Sequence, residues 1–342
     1  MGLNKNSYNL LQWLGQFLTA PVKAFHKPFP EKLYVVEADC DQPGVGKAMS
    51  SLLKAECVVW LSSDRTHSFH YDKLVKSGKF SKVEEAIAYE YGYYVRQDPK
   101  KIIANFDNKL IEKECVDKNV ESIFLKDCLK YSVSEKGTTF QTKDGEYKFP
   151  YLMPEKSFYS VEASIRLMEY LGFDTDSSFT KFEMPPSRSS IFDGIKNTTI
   201  IDSSYNANFA SVQTILSLVQ NIQNPAKWFV FGGMLEQGSV EEEEHKKLIP
   251  EIRKAGFNKL ILVGKLPSEY ILPEFIDIAV FFDEPKDALD YLKKNLEGGE
   301  LILIKGGRLE GLVEHLLADK KDAVKLCRRE EVYAKKRQKI GL

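Results

Sequence analysis

Two apolar runs near the N-terminus end in side chains that could share a divalent cation. Glu37 closes the run LYVVEA, and His67 follows the next run, ECVVWLSS, thirty residues later. The carboxyl ends of parallel strands meet at one edge of a sheet, where ligands of α/β proteins bind. A carboxylate oxygen and an imidazole nitrogen could hold one hard cation there. By spacing alone, a helix-capping Glu37 and a polar-loop His67 remain the simpler interpretation.

A glycine-flanked lysine follows the first run, in DQPGVGKAMSS (41–51). A Walker A loop requires G-x-x-x-x-G-K-[ST]. Asp41 stands where the first glycine belongs, and its carboxylate would repel phosphates. Ala48 follows Lys47, so no hydroxyl is present to hold Mg²⁺. The stretch is therefore predicted to be a strand-to-helix turn and not a phosphate loop.

The elements that must position these residues alternate between strand and helix patterns. Short apolar runs at 32–38, 56–63 and 100–106 are separated by helical patterns such as VEEAIAYEYGYYV, which predicts a parallel sheet flanked by helices. Residues 121–150 alternate around a Lys-Asp-Gly turn and predict a small antiparallel hairpin appended to that sheet. A helix is expected from about Ser160 to Tyr170.

A second α/β domain is predicted after FEMPPSRSS (182–190), which has two prolines and no periodicity. The apolar runs TTIIDSS, KWFVFGG, KLILVG, IAVFF and ELILIKGG follow, most with a helical pattern behind them. This order is typical of a Rossmann-like domain. The fold class is therefore α/β, with domains at 1–184 and 185–342.

The composition argues against binding to nucleic acid or to an acidic membrane, against a disulfide-rich secreted protein and against a membrane-spanning one. The 342 residues carry a net charge of −1, which gives no global attraction to nucleic acid or to an acidic membrane. The five cysteines are scattered without a C-x-x-C pair, which suits a reducing, cytoplasmic compartment. No run reaches the ~18 apolar residues that a transmembrane helix needs.

Both ends of the chain have helical patterns. NLLQWLGQFLTAPVKAF has apolar residues at helical spacing, and we expect an amphipathic helix ended by Pro21 that packs on its own domain and not on a membrane. The tail from Lys320 to Lys339 has nine basic residues against three acids and is expected to be a solvated helix.

Three segments of the second domain carry a family resemblance. IIDSSYNANFASV, FGGMLEQGSVEEEEHKKL and LILIKGGRLEGLVEHLL resemble three successive segments of the Mur ligases. Earlier in the chain, PPSRSS, YVVEADCDQPG, DRTHSF and IIANFDN resemble the corresponding family segments in the same order. The resemblance covers about residues 30–318 and is clearer in the second domain.

The resemblance implies a fold and an activity. Residues 1–184 would be a central-like domain with a truncated or degenerate phosphate loop, and 185–342 a Rossmann-like C-terminal domain with a basic tail helix. Mur ligases phosphorylate a carboxylate with ATP, and an amine then attacks the acyl phosphate to form an amide of a cell-wall precursor. The implied site residues are Lys305 and Arg188 as catalytic residues, Asp202, Tyr205, Asn206 and Asn208 as nucleotide-binding residues, and Glu37 and His67 as Mg²⁺ ligands.

The departures from the family pattern concern the nucleotide site. GLNKNSYN, near the N-terminus, has Lys5 and Asn6 where a phosphate loop would have glycine and lysine. Tyr89 stands at the family's carbamoylated lysine. Ser157 and Ser160 stand where the family has adenine-contacting asparagines.

Two functions therefore remain open. The first is an ATP-dependent ligase whose phosphate grip comes from an altered site or from a partner chain. The second is a catalytically inactive Mur-like protein that binds a cell-wall precursor or a peptide-like small molecule. Neither function involves nucleic acid.

Three side chains also have ordinary structural interpretations. His245 follows four glutamates and is expected to be an exposed helix residue. Asp202 could simply form a strand-to-helix turn. Lys305 precedes two glycines, and its pattern does not decide between an anion contact and solvent.

Overall fold

The computed structural model describes residues 10–24, 33–65, 68–134, 137–175, 179, 181–307 and 309–342. The first half consists, in chain order, of α1 (Leu10–Ala24), α2 (Val45–Leu53), β1 (Cys57–Trp60), α3 (Asp72–Lys76), α4 (Val83–Arg96), β2 (Lys101–Asn105), α5 (Lys109–Glu114), β3 (Val120–Ile123), β4 (Lys130–Ser134), β5 (Gly137–Gln141), β6 (Glu146–Phe149) and α6 (Phe158–Tyr170). The second half consists of β7 (Ser190–Gly194), β8 (Thr198–Ser203), α7 (Phe209–Gln220), β9 (Lys227–Phe231), α8 (Glu241–Lys247), α9 (Ile249–Ala255), β10 (Lys259–Val263), α10 (Lys265–Tyr270), β11 (Ala279–Phe282), α11 (Pro285–Asn295), β12 (Leu301–Lys305), α12 (Glu310–Leu316) and α13 (Glu331–Lys339).

The first half has two small sheets that share one core. Strands β1, β2 and β3 are parallel, whereas β4, β5 and β6 form an antiparallel meander. Ile103 and Ile123 from the parallel sheet pack with Phe140 and Phe149 of the meander, and Phe158 of α6 joins them. The predicted parallel sheet and antiparallel appendage are both present, and the appendage forms a sheet of its own.

Two expectations for the N-terminal region are wrong. Residues 33–38 form no strand, because β1 pairs only with β2 among the described residues and no neighbouring backbone takes up their hydrogen bonds. Helix α1 continues past Pro21 to Ala24. Its apolar face does not pack on the domain: Leu10 is 83% exposed and Leu18 is 70% exposed.

The second half is one six-stranded sheet in the order β11-β10-β9-β12-β8-β7, parallel except for β7. Successive strand residues point to opposite faces. On one face, Phe229 and Leu303 pack against α7 and α9, and on the other Val230 and Ile302 pack against α11 and α12. This doubly covered parallel sheet confirms the predicted Rossmann-like α/β class.

The sheet has a topological switch point between β8 and β12. Helix α7, which follows β8, covers one face through Val212 and Ile215. Helix α12, which follows β12, covers the opposite face through Leu312 and Val313. The two connections therefore diverge, and a crevice opens at the carboxyl ends of β8 and β12, where ligands of such sheets bind.

The two halves of the chain contact each other directly. Leu152, before α6, is buried in the core that α7 covers. The Asn208 side-chain amide donates to the backbone oxygen of Arg65 at 2.8 Å. The amide of Ser239 donates to the Asp72 carboxylate at 3.0 Å. Apolar packing and hydrogen bonds thus fix the second half against the first.

Within the described residues, none of the helices has both the length and the apolar character required to cross a membrane.

Candidate functional site

The candidate site is built on the carboxyl ends of β8 and β12. These strands are paired in register, with Lys305 opposite Ser203 and Ile304 opposite Asp202. The Lys305 ammonium donates to the backbone oxygen of Asn206 at 2.6 Å and lies 3.5 Å from the Ser203 hydroxyl. The structure therefore brings Lys305 and Asp202 together from positions more than 100 residues apart in sequence.

The environment of Lys305 changes its proton affinity. The side chain is buried, with 4% of the residue exposed. Burial, and secondarily the charge of Arg188, lower the pKa of Lys305 to about 7, while Asp202 acts in the opposite direction. A lysine of this kind exists in both protonation states near neutral pH, so it can hold an anion or exchange a proton.

Asp202 is buried and held on both carboxylate oxygens. The Ser187 hydroxyl donates to one oxygen at 2.5 Å, and the backbone amide of Ser204 donates to the other at 3.0 Å. The second bond is the turn role that the sequence allowed. The first ties the segment before β7 to the end of β8, and this brings Arg188 into the site.

Tyr205 lies close to two guanidinium groups. The Arg188 guanidinium carbon is 4.5 Å from the ring centroid, and that of Arg328 is 5.1 Å from it. Arg328 also donates to the side-chain oxygen of Asn206 at 3.3 Å. Cations stack favourably on aromatic faces. Because Lys305 contacts Asn206 as well, three cationic side chains meet at Tyr205 and Asn206.

Sequence reasoning missed Arg328. The basic pattern of the tail indicates a solvated helix and holds no signal for a contact with residues 205–206. The structure instead has a turn of 3₁₀ helix at Lys320–Lys325, followed by an irregular segment that includes Arg328 and then α13.

Asn208 has two structural roles. Its side-chain oxygen accepts from the Ser211 amide at 2.9 Å and caps α7, while its side-chain amide donates to the Arg65 backbone oxygen. Both ends of the amide are thus engaged. The predicted contact of Asn208 with a nucleotide remains a prediction.

Two glycine pairs pack against each other next to Lys305. The amide of Gly232, after β9, donates to the Lys305 backbone oxygen at 3.0 Å. Gly306 has a φ of 111°, and a Cβ there would lie 2.8 Å from the Gly233 oxygen. Only glycine fits this position, because both the backbone angle and the space exclude a side chain.

The expectation that His245 is exposed is wrong. The residue is fully buried in α8. Its Nε2 accepts from the Met234 amide at 2.9 Å, so Nδ1 carries the proton and donates to the Glu241 oxygen at 2.7 Å. Burial lowers the pKa of the imidazole. The neutral imidazole of His245 therefore fixes the backbone of Met234, in the loop after Gly232 and Gly233, which follow β9.

A cavity of about 140 Å³ lies beside the glycine pairs, at the carboxyl ends of β9, β10 and β11. Its walls include Gly232 and Gly307 on one side and Gly264 and Asp283 on the other. The cavity thus continues the crevice away from Lys305 along the same edge of the sheet.

The first half does not present the expected magnesium site in its described part. Glu37 is exposed in the segment that forms no strand, and His67 lies outside the described residues. The described residues contain no group of three His, Cys, Asp or Glu side chains that could hold a metal. Because His67 lies outside the described residues, the pair of Glu37 and His67 as Mg²⁺ ligands remains a prediction.

Tyr89, at the position of the family's modified lysine, belongs to an aromatic cluster on α4. Its ring packs against Phe80 and Tyr93, and the Arg96 guanidinium lies 4.6 Å from its centroid. In the glycine-lysine stretch, Gly44 has a φ of 90° at the start of α2, and Glu90 accepts from the Gly46 amide at 3.1 Å. A carboxylate already occupies the place that a phosphate would take.

Comparison with known proteins identifies the second half. Residues 187–308 match the family described as "Mur ligase, glutamate ligase domain". The UDP-N-acetylmuramoyl-tripeptide–D-alanyl-D-alanine ligase of Borreliella burgdorferi is 24% identical over 313 residues, which are 82% of this chain and 62% of that protein. The Bacillus subtilis ligase of the same name is 29% identical over 199 residues, 54% of this chain and 43% of that protein. The chain thus spans less than two thirds of either relative.

Solved structures show the same fold. MurF from Thermotoga maritima in complex with ADP superposes with a TM-score of 0.69 at 18% identity, covering 89% of this chain and 70% of that one. MurF from Acinetobacter baumannii has a TM-score of 0.68 at 16% identity, covering 82% and 63%. Residues 187–308 therefore match a Mur ligase C-terminal domain, and the chain as a whole is similar to Mur ligases in sequence and in fold.

Proposed function

We propose that the chain belongs to an ATP-dependent ligase that joins a carboxylate to an amine in cell-wall precursor synthesis. The observation that carries this is the buried Lys305 beside Asp202 at the switch point of a Mur-type C-terminal domain. The names of the curated relatives suggest a UDP-N-acetylmuramoyl-tripeptide as the carboxylate and D-alanyl-D-alanine as the amine. A cytoplasmic location is part of the same proposal.

The residues of the second half suit the anionic part of such a reaction. ATP, when bound, supplies the phosphoryl group that activates the carboxylate. Lys305 and Arg188 place positive charge at the crevice, where it would offset the charge of phosphates or of an acyl phosphate. The Tyr205 ring packs against the Arg188 guanidinium, and the Asn206 backbone oxygen accepts from the Lys305 ammonium, so these contacts fix both cations at the crevice.

The pKa of Lys305 fits this role. At about 7, it lets the ammonium hold an anion in one step and release or accept a proton in another without leaving its bond to Asn206. Asp202 and Ser187 fix the strand ends that determine where Lys305 lies. No step is assigned to Glu37 or His67.

A second candidate is a Mur-like protein that needs a partner chain for phosphate binding or is inactive. It is favoured by the first half, where Glu90 engages the amide of Gly46 and Tyr89 is packed among aromatic rings. Such a protein would keep the crevice at Lys305 and bind a cell-wall precursor or a nucleoside diphosphate there.

Calorimetric titration of the chain separates the candidates. Saturable Mg²⁺-ATP binding, followed by phosphate release on addition of the tripeptide precursor and D-alanyl-D-alanine, would support the ligase. Binding of ADP without turnover would support the second candidate. If neither nucleotide binds at millimolar concentration, the ligase is refuted for this chain, and if the tripeptide precursor does not bind either, the second candidate is refuted as well.

A further inference from the structure

The basic tail does not extend into solvent along its whole length. Leu326 is buried in the core beneath α12. Arg329 makes two bonds to the Glu314 carboxylate, at 2.5 and 3.1 Å. The tail is therefore held against α12 on both sides of Arg328.

Helix α13 adds a third attachment. The Arg337 guanidinium donates to the backbone oxygen of Arg328 at 2.9 Å. A Cβ on Gly311 of α12 would lie only 2.7 Å from Cδ of Arg337, so the two helices are in close contact. The backbone at Arg328 is thus fixed by Arg337 of α13, which itself packs against α12.

The conformation of Arg328 is unusual. Its φ is 53°, in the left-handed region that costs a residue with a side chain about 1 kcal/mol or more. This turn directs the guanidinium back to the sheet, where it meets Tyr205 and Asn206. The family match ends at residue 308, so this side chain comes from outside the matched domain.

We propose that Arg328 is a third anion-binding residue of the crevice, supplied by the tail to complete the pair of Arg188 and Lys305. The inference rests on the proposed function, because it concerns the phosphate or carboxylate groups that such a ligase binds. A guanidinium presents planar paired donors that match the oxygens of those groups. Both Arg188 and Arg328 lie against the Tyr205 ring, and Arg328 and Lys305 both contact Asn206, so the three cations are close enough to face one polyanion.

The test compares two basic residues of the tail. Arg328→Gln removes the charge at the crevice, whereas Lys335→Gln removes an equal charge from the exposed side of α13, where it pairs with Glu331. Loss of a charge-assisted hydrogen bond should weaken ADP binding about tenfold or more in Arg328→Gln, measured by calorimetry at low and moderate salt. Lys335→Gln should bind ADP as the wild type does. Arg328→Lys should recover part of the affinity.

Adenosine distinguishes an anion-binding role of Arg328 from a merely structural one. Adenosine lacks phosphates, so its affinity should be the same in wild type and Arg328→Gln. If Arg328→Gln loses adenosine and ADP affinity equally, or if Lys335→Gln loses as much ADP affinity, Arg328 is not an anion-binding residue of the crevice and the inference is overturned. ADP binding by the wild type with no change in Arg328→Gln overturns the inference alone. No ADP binding by the wild type overturns it together with the nucleotide-binding proposal.

Discussion

The burial of Lys305 predicts a measurable dependence of stability on pH. The pKa of this lysine is lowered from 10.5 to about 7 by burial and by Arg188. Between these two values the unfolded chain binds more protons than the folded one, so stability rises with pH. Replacing the ammonium by an apolar side chain of similar length, as in Lys305→Met, removes this dependence.

The magnitude follows from the pKa difference. Each pKa unit corresponds to about 1.4 kcal/mol, so the lowered pKa of Lys305 costs the fold about 5 kcal/mol at pH 6, where the buried side chain is protonated, and about 2 kcal/mol at pH 9, where folding requires it to give up its proton. The variant also loses the bond from Lys305 to Asn206, which is worth about 1 kcal/mol at any pH. Lys305→Met should therefore be more stable than the wild type by about 4 kcal/mol at pH 6 and by about 1 kcal/mol at pH 9.

Urea unfolding at pH 6, 7, 8 and 9 measures this difference directly. Other titrating groups are common to both proteins and cancel. Lys259→Met, in strand β10 of the same sheet, provides the baseline for a lysine-to-methionine exchange. If the free-energy difference between wild type and Lys305→Met does not change with pH beyond that baseline, the reasoning about the buried ammonium is refuted. ADP binding should also weaken in Lys305→Met, and a variant of higher stability and unchanged affinity would contradict the role proposed for this residue.

Three further predictions concern residues around the crevice. Because burial lowers the pKa of His245, wild-type stability should fall as pH drops below about 6.5, and His245→Gln should not show this loss in thermal unfolding; parallel curves would contradict it. Gly306→Ala should lower the free energy of unfolding by several kcal/mol, whereas Gly299→Ala, at a φ of 84° with open space around the added Cβ, should lower it by only about 1 kcal/mol. Equal losses of stability in urea unfolding would show that the crowding at Gly306 does not matter. Asn208→Ala should lower the free energy of unfolding by about 1–2 kcal/mol. Asn208→Ser should restore the cap of α7 but not the contact with Arg65, so proteolysis between the halves should be faster than in the wild type in both variants. Protection equal to the wild type in Asn208→Ser would show that this contact is dispensable.

The strands of the second sheet were predictable because most of them are buried on both faces. Runs such as KLILV and LILIK are continuously apolar, which is typical of central parallel strands. Strand β7, with the sequence SIFDG, was missed. It is antiparallel, and its residues alternate between buried and exposed, so the pattern is too short and too polar to stand out from the preceding serines.

The first half was less predictable. Residues 33–38 have the composition of a strand, but a strand also needs a neighbour, and composition does not reveal whether one exists. Tyr34 and Val35 remain 69% and 84% exposed. The apolar spacing of α1 likewise predicted the helix but not that Leu10 and Leu18 on its apolar face would be exposed.

In the candidate site, sequence placed Asp202 and Lys305 at strand ends, and the sheet register then brought them together. The proton affinity of Lys305 was not predictable, because it depends on how completely the surrounding chain excludes water. His245 was misjudged because the glutamates before it indicate exposure, whereas the helix turns its imidazole inward towards Met234. Arg328 contacts residues more than 120 positions earlier, and no local pattern encodes such a contact.

The covering of the sheet by α12 and the tail bears on whether the second domain can be excised. The family match ends at residue 308, before Leu312, Leu316 and Leu326, which are buried against Ile302 and Ile304 of β12. A fragment cut at the family limit would leave part of that face bare, and such a surface promotes self-association. An autonomous module would have to extend through Leu326. The segment that matches the family and the unit that can fold on its own are therefore not the same length of chain.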